Sequence, residues 1–427
     1  MIRERTSPAA WPAPWQPPAD ARPSAEARPS AEARPSAGMR RPAGTRGGAA
    51  GRGSGRVEWA DVAKGVCIIL VVGWHVVVKD YLRVEWHIGV PVPGVWGILG
   101  EQLLPLRMPL FFTISGVFAA NAVRRPWRSV ARGRIARFGY LYATWLLIHT
   151  VLLAAAPGFP TDRATSLRGL LEQLTVTPSN LWYLYALALY FVLAKAVRRV
   201  PPAVVLVPAA VLSAVTAAGL LDTPGNRGGC YQNLIFFLAG LHLRPRIEAW
   251  AATATRRRLV LTAGAYALVL AAMAAAGAQS WFGVWPLVSV VAVAFGITAA
   301  ARLCRWRALA EPLARLGRNT LPVYVIHMPV LALLHRLVVG PLSGLDRVGQ
   351  ELVVLGYPVL TTGLVMVLSL AVHRVLLAAG ASWLFDLPAR RRPAAGRRDG
   401  SRPDPHRPDP RRPDPHRPEV HRLGAAR

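Results

Sequence analysis

The sequence predicts an all-α fold, a polytopic bundle of about ten transmembrane helices with both termini cytoplasmic and a disordered tail at each end. Three observations carry this expectation. Hydrophobic residues make up 53% of the 427 positions and mean hydropathy is +0.30, although both tails are polar; that combination belongs to membrane proteins rather than soluble domains. Ten apolar segments are long enough, or nearly so, to cross a bilayer. The basic residues between them alternate in density, as the positive-inside rule requires.

The tails come first because they bound the rest. Residues 1–55 hold three RPSAEA-like copies between Arg22 and Gly38 and then a Gly/Arg-rich stretch, while residues 389–427 repeat RPDPH-like units. Neither composition can bury enough apolar surface to offset its ordering entropy. The chain therefore divides into a tail (1–55), a transmembrane domain (56–388) and a second tail (389–427). No signal-peptide core precedes residue 56, so the first segment is expected to serve as its own insertion signal. His406, His416 and His421 read as bystanders in a Pro/Arg linker, and no metal site is expected.

The ten segments run approximately over 59–78, 95–123, 138–156, 181–197, 203–220, 230–243, 259–277, 281–301, 319–339 and 352–378, the fourth marginal and the sixth short. With the N-terminus in the cytoplasm, the four inner loops (124–137, 195–199, 244–258 and 302–318) carry 19 lysines and arginines, and the five outer loops carry 7. The net charge of +29 is almost all arginine. Such a balance raises nucleic acid as a partner, but arginines confined to tails and short loops are a topology signal, and nucleic-acid binding is not expected. Cys67, Cys230 and Cys304 lie far apart and form neither a CxxC pair nor a disulfide framework.

Charged groups inside the first segment are the main chemical signal, because ionisable groups in hydrocarbon are expensive and face a bundle interior or a polar cavity. Asp61, Lys64 and His75 share this segment. Lys64 and His75 are eleven residues apart, which brings them within about 20° of one face and about 16 Å apart along the axis. Such a track suits a long ligand guided inward; the alternative is a snorkelling lysine and a histidine satisfied by a neighbouring helix. In the second segment Arg107 needs a polar or acidic partner, with Glu101 and Asp61 as candidates. Pro105 and Pro109 can kink that segment, freeing backbone groups, and Ser115-Gly116 reads equally as a substrate contact or a small-residue helix crossing.

Further along, Arg132, Arg134 and Arg137 either bind phosphates through forked contacts or only mark topology. Trp182, within Asn180–Tyr183, is a substrate-binding candidate or part of an interfacial aromatic belt; Gln232 and Asn233 head the sixth segment. LGRNTLPVYVIHMPV (Leu316 to Val330) supplies Asn319 and Tyr324 as substrate-binding candidates and His327 as a second intramembrane imidazole, fit for proton relay or hydrogen bonding. His149, His335 and His373 read as structural.

Taken together these pieces resemble the acyltransferase-3 family of integral membrane O-acyltransferases, in its sugar O-acetylase-like branch. The family opens with an aspartate, a basic residue and a histidine eleven positions on, here Asp61, Lys64 and His75. MPLFFTISG, RGRIAR, LWYLYAL, NLIFFLAG and LGRNTLPVYVIH follow in the expected order, so the likeness covers about residues 56–385. The resemblance implies transfer of an acyl group, usually acetyl from acetyl-CoA, to a hydroxyl of a sugar, glycolipid or secondary metabolite. Catalysis then falls to His75, Asp61 and His327, donor binding to Lys64, Arg107, Arg132, Arg134 and Arg137, and acceptor contacts to Ser115, Trp182, Asn319 and Tyr324. Membrane lipids, acyl-CoA and a glycan acceptor are the implied partners, in a bacterial cytoplasmic membrane. One departure stands out, since Arg107 occupies the place before MPLFF where a histidine is expected. Ten helices with buried charges also suit a transporter or flippase, although no inverted repeat of the motifs is present; a scaffold acting through its basic tails is a third reading.

Overall fold

The computed structural model describes residues 58–88 and 92–388; the expectations for residues 1–55 and 389–427 lie outside the described residues. The described chain is helical, without a strand. It runs through α1 (Glu58–Lys79), α2 (Val92–Gln102), α3 (Leu104–Arg124), the single turn α4 (Trp127–Val130), α5 (Arg137–Ala154), α6 (Leu167–Thr175), α7 (Trp182–Ala196) and α8 (Pro202–Ala217). It continues through α9 (Arg227–His242), α10 (Arg244–Ala252), α11 (Arg256–Ala275), α12 (Val284–Leu303), α13 (Arg307–Arg318), α14 (Thr320–Ser343), α15 (Arg347–Val353) and α16 (Tyr357–Ala378).

Each of the ten apolar segments falls on helix. Among the described residues seven helical stretches are long and apolar enough to cross a membrane. The fourth, fifth and sixth segments become the shorter helices α7, α8 and α9, of 15, 16 and 16 residues. The second segment breaks at Leu103 into α2 and α3. Pro105 then sits in the first turn of α3, where a missing N–H costs nothing, and Pro109 lies inside the helix.

Side-chain contacts gather the arginine-rich connections at one end of the bundle. Lys64, early in α1, lies 4.9 Å from the ring centre of Phe118, late in α3, so the two helices run antiparallel. Lys195 at the end of α7 donates to the carbonyl oxygens of Val123 (2.9 Å), in the last turn of α3, and Arg125 (2.5 Å), just past it. Trp250 of α10 donates to Thr298 of α12 (2.9 Å), and Arg305 donates to Ala254. Between α4 and α5 the stretch Ala131–Ala136 winds as a wider π-helix, a rare form that is frequent at functional sites.

Two reciprocal glycine crossings hold the core. A Cβ on Gly65 would collide with the Leu313 carbonyl oxygen, and one on Gly317 with that of Asp61, which locks α1 against α13. Gly116 and Gly240 meet the carbonyls of Phe237 and Thr113 in the same manner, locking α3 against α9. Water-free packing of this kind rests on close backbone approach rather than on hydrophobic transfer. Ser115-Gly116 thus belongs in part to a helix crossing. By contrast α11 stands at the periphery, with only Tyr266 and Met273 buried.

Candidate functional site

The central feature is a pair of imidazoles from opposite ends of the sequence. His75 of α1 and His327 of α14 face each other with Nδ1 and Nε2 3.1 Å apart, ring centres 5.1 Å apart and planes inclined at 30°. His327 is 2% exposed, whereas His75 is half-buried. The buried ring stands behind the reachable one.

Hydrogen-bond roles follow from one fixed acceptor. His327 Nδ1 lies 3.1 Å from the carbonyl oxygen of Val323, which can only accept, so Nδ1 carries the proton. In a neutral ring Nε2 is then the acceptor, and His75 must donate to it from Nδ1. That leaves His75 Nε2 with a lone pair and, among the described residues, no hydrogen-bond partner. A histidine held this way, with its second nitrogen set by a neighbour, has the arrangement of a general base.

Around the pair the second- and ninth-segment signatures interlock. The Tyr324 ring lies 6.1 Å from that of His327, and its hydroxyl accepts from the Tyr183 N–H (3.2 Å) and donates to the Asn180 carbonyl (3.1 Å). Tyr183 in turn bonds Ser115 through its hydroxyl at 2.8 Å and packs on Phe111 and Phe112. Trp182 packs on Phe112 and covers Gly229. Ser115, Trp182, Tyr183 and Tyr324 are therefore one assembly leading to His327.

Arg107 is 3% exposed, with its guanidinium 4.5 Å from the ring centre of Trp74 and one nitrogen 3.1 Å from the Gly100 carbonyl oxygen. The partners expected from sequence are not the ones it takes. Glu101 is exposed, and Asp61, at the other end of α1, lies 2.8 Å from Lys64. The expected acidic partner gives way to an indole face and a carbonyl, a stacking that suits the planar guanidinium. Trp74 was not a sequence candidate; its place beside His75 in the chain was the available signal.

Lys64 stays at the basic end with Asp61, as its position on α1 dictates. Arg134 lies 5.9 Å from the Phe191 ring centre, Arg137 forms an ion pair with Asp386 at 2.9 Å, and Arg132 is exposed. Asn319 is exposed between α13 and α14, with its amide on the Arg315 carbonyl and, among the described residues, no hydrogen bond to the Tyr324 assembly. Among the described residues no group of three or more His, Cys, Asp or Glu side chains is placed to hold a metal. His149 donates from Nε2 to the Val325 carbonyl oxygen at 2.8 Å, which anchors α5 to α14.

A helical membrane bundle with paired imidazoles in its interior is the class this geometry defines. The Acyltransferase domain family model matches residues 57–374, three quarters of the chain. The chain belongs to the acyltransferase-3 family. It is also similar to the inner membrane protein YcfT of Escherichia coli (strain K12), 28% identical over 156 residues that cover 33% of this chain and 44% of that relative. No solved structure matches it.

Proposed function

We propose that the chain is a membrane acyltransferase that moves an acyl group, acetyl above all, from acyl-CoA to a hydroxyl of a sugar, glycolipid or related acceptor. The observation that carries this reading is the unpartnered Nε2 of His75, fixed by His327. The acceptor hydroxyl gives its proton to His75 Nε2 as its oxygen attacks the thioester carbonyl carbon. The tetrahedral intermediate then collapses with cleavage of the carbon–sulfur bond, and the departing thiolate takes the proton from His75. His327 holds the ring of His75, and Tyr324, Tyr183 and Ser115 brace His327. Arg107, stacked beside His75 on Trp74, supplies fixed positive charge for the developing oxyanion.

Donor binding falls to the basic end. Lys64 with Asp61, and Arg132, Arg134 and Arg137 around the π-helical turn, suit the phosphates of CoA, with Asn319 nearby at the start of α14. Under this reading the basic end and both termini face the cytoplasm of a bacterium, and the name of the similar YcfT, an inner membrane protein, supports a membrane location.

Inside-out vesicles supplied with acetyl-CoA labelled in the acetyl group test the reading. Wild-type protein should move label into a lipid or glycan fraction. His75→Ala should lower incorporation by about 10²–10⁴-fold, the usual worth of a histidine general base, with insertion into the membrane unchanged. Full incorporation by the variant removes His75 from the chemistry.

A further inference from the structure

A cavity of about 910 Å³ lies between α1, α3, α11 and α12, and the acyl-transfer reading makes no use of it. Its α1 wall is Ala63, Val66, Cys67 and Leu70, a single helical stripe. At 100° per residue that stripe lies about 120° around the helix from the Lys64–His75 stripe. The cavity is therefore not the path to His75.

Its chemistry is divided between its two ends. Toward the bundle interior it is walled by aliphatic and aromatic side chains such as Leu106, Leu110 and Phe295. At the basic end stand Arg256, the first residue of α11, and Arg302, near the end of α12, with Trp306 beside them. Arg256 is exposed and Arg302 half-exposed, and among the described residues neither guanidinium makes a hydrogen bond or ion pair. From Arg256 to Ala263, both on the wall, the groove extends about 10 Å along α11. The outer face of α11 is apolar and exposed, with Leu261 and Leu268 both more than half accessible.

We infer that this groove binds an anionic phospholipid of the leaflet on the basic side, its phosphate between Arg256 and Arg302 and one acyl chain along the apolar wall. Both halves of the ligand are needed. Guanidinium groups form forked, charge-assisted bonds to phosphate oxygens, and basic pockets between transmembrane helices recognise anionic headgroups. A soluble phosphate would leave the apolar wall empty. A zwitterionic lipid such as phosphatidylcholine would bring its own quaternary ammonium beside two unneutralised guanidinium groups, so only a headgroup with net negative charge matches the site. Trp306 sits where an interfacial indole is favoured.

The test uses full-length protein, stripped of lipid in a neutral detergent and reloaded with dioleoyl-phosphatidylglycerol, dioleoyl-phosphatidylcholine or inorganic phosphate. Retained lipid is read by native mass spectrometry, and the unfolding midpoint by intrinsic fluorescence. Phosphatidylglycerol should be retained more tightly than phosphatidylcholine, whose choline cation opposes the two arginines, and should raise the midpoint further, while inorganic phosphate should leave the midpoint unchanged. The double variant Arg256→Gln/Arg302→Gln should lose phosphatidylglycerol affinity by roughly tenfold or more, as expected for two charge-assisted contacts. Ala263→Phe, which fills the groove and keeps both arginines, should lose it as well. Arg257→Gln, off the wall, should bind as wild type. Equal effects of the two lipids, a full effect of phosphate alone, or undiminished phosphatidylglycerol binding by either groove variant would overturn the inference. Should the double variant not fold, Ala263→Phe decides alone.

Discussion

The chain of α1 meets α14 through histidine twice, once where His75 meets His327 and again, five residues on and just past the end of α1, where Asp80 meets His335. The second contact is closed. Asp80 is fully buried; one of its oxygens lies 3.0 Å from His335 Nδ1 and the other accepts the Tyr357 hydroxyl at 2.5 Å. Beside it Tyr81 donates to the Val354 carbonyl at 3.0 Å, and Lys79 to that of Pro160 at 2.6 Å. A buried carboxylate satisfied on both oxygens fastens α1, α14 and α16 together. The first contact has no carboxylate and stays open at His75 Nε2. The difference teaches that two imidazole contacts on one helix pair serve unlike ends, one holding the helices and the other presenting a base.

That contrast can be broken or sharpened by substitution. The largest effect belongs to His75→Ala, with activity down about 10²–10⁴-fold and the unfolding midpoint in detergent unchanged. Asp80→Ala should do the reverse. It strips the partner from Tyr357 and His335, so stability should fall by about 1–3 kcal/mol, the usual cost of buried groups left unsatisfied, while the folded fraction keeps its turnover. A drop in turnover with intact stability would erase the distinction between the two contacts. His327→Phe should keep the packing but release the His75 ring, lowering activity by roughly 10–100-fold, as loss of a ligand-orienting group does elsewhere. The smallest effect is that of Tyr357→Phe, which removes one hydrogen bond to Asp80 and should lower stability by about 1 kcal/mol, with labelled-acetyl transfer unaltered.

Sequence periodicity and loop charge sufficed to place every apolar segment on a helix, because length and hydropathy are local properties. They also put Lys64 and His75 on one stripe of α1. The pairing of His75 with His327 was out of reach, since 252 residues separate them and only tertiary packing decides which faces of α1 and α14 meet. The partner of Arg107 was misjudged for a related reason. Charge alone favoured a carboxylate, but the break at Leu103 lays Gly100 over Trp74 and brings the guanidinium onto that indole. The role of Asp80 was likewise invisible, as its two partners come from α14 and α16. The glycines could be seen in the sequence, but which carbonyls they approach could not.

The hydrogen-bond line that ends at His75 Nε2 begins on a main-chain carbonyl, that of Val323. Side-chain replacement can interrupt this line at either imidazole, but none can turn it around, because every residue at position 323 offers the same oxygen. Its polarity is thus a property of helix geometry and is indifferent to mutation at its origin. Variants of Val323 should alter the packing around His327 and leave the sense of proton flow untouched.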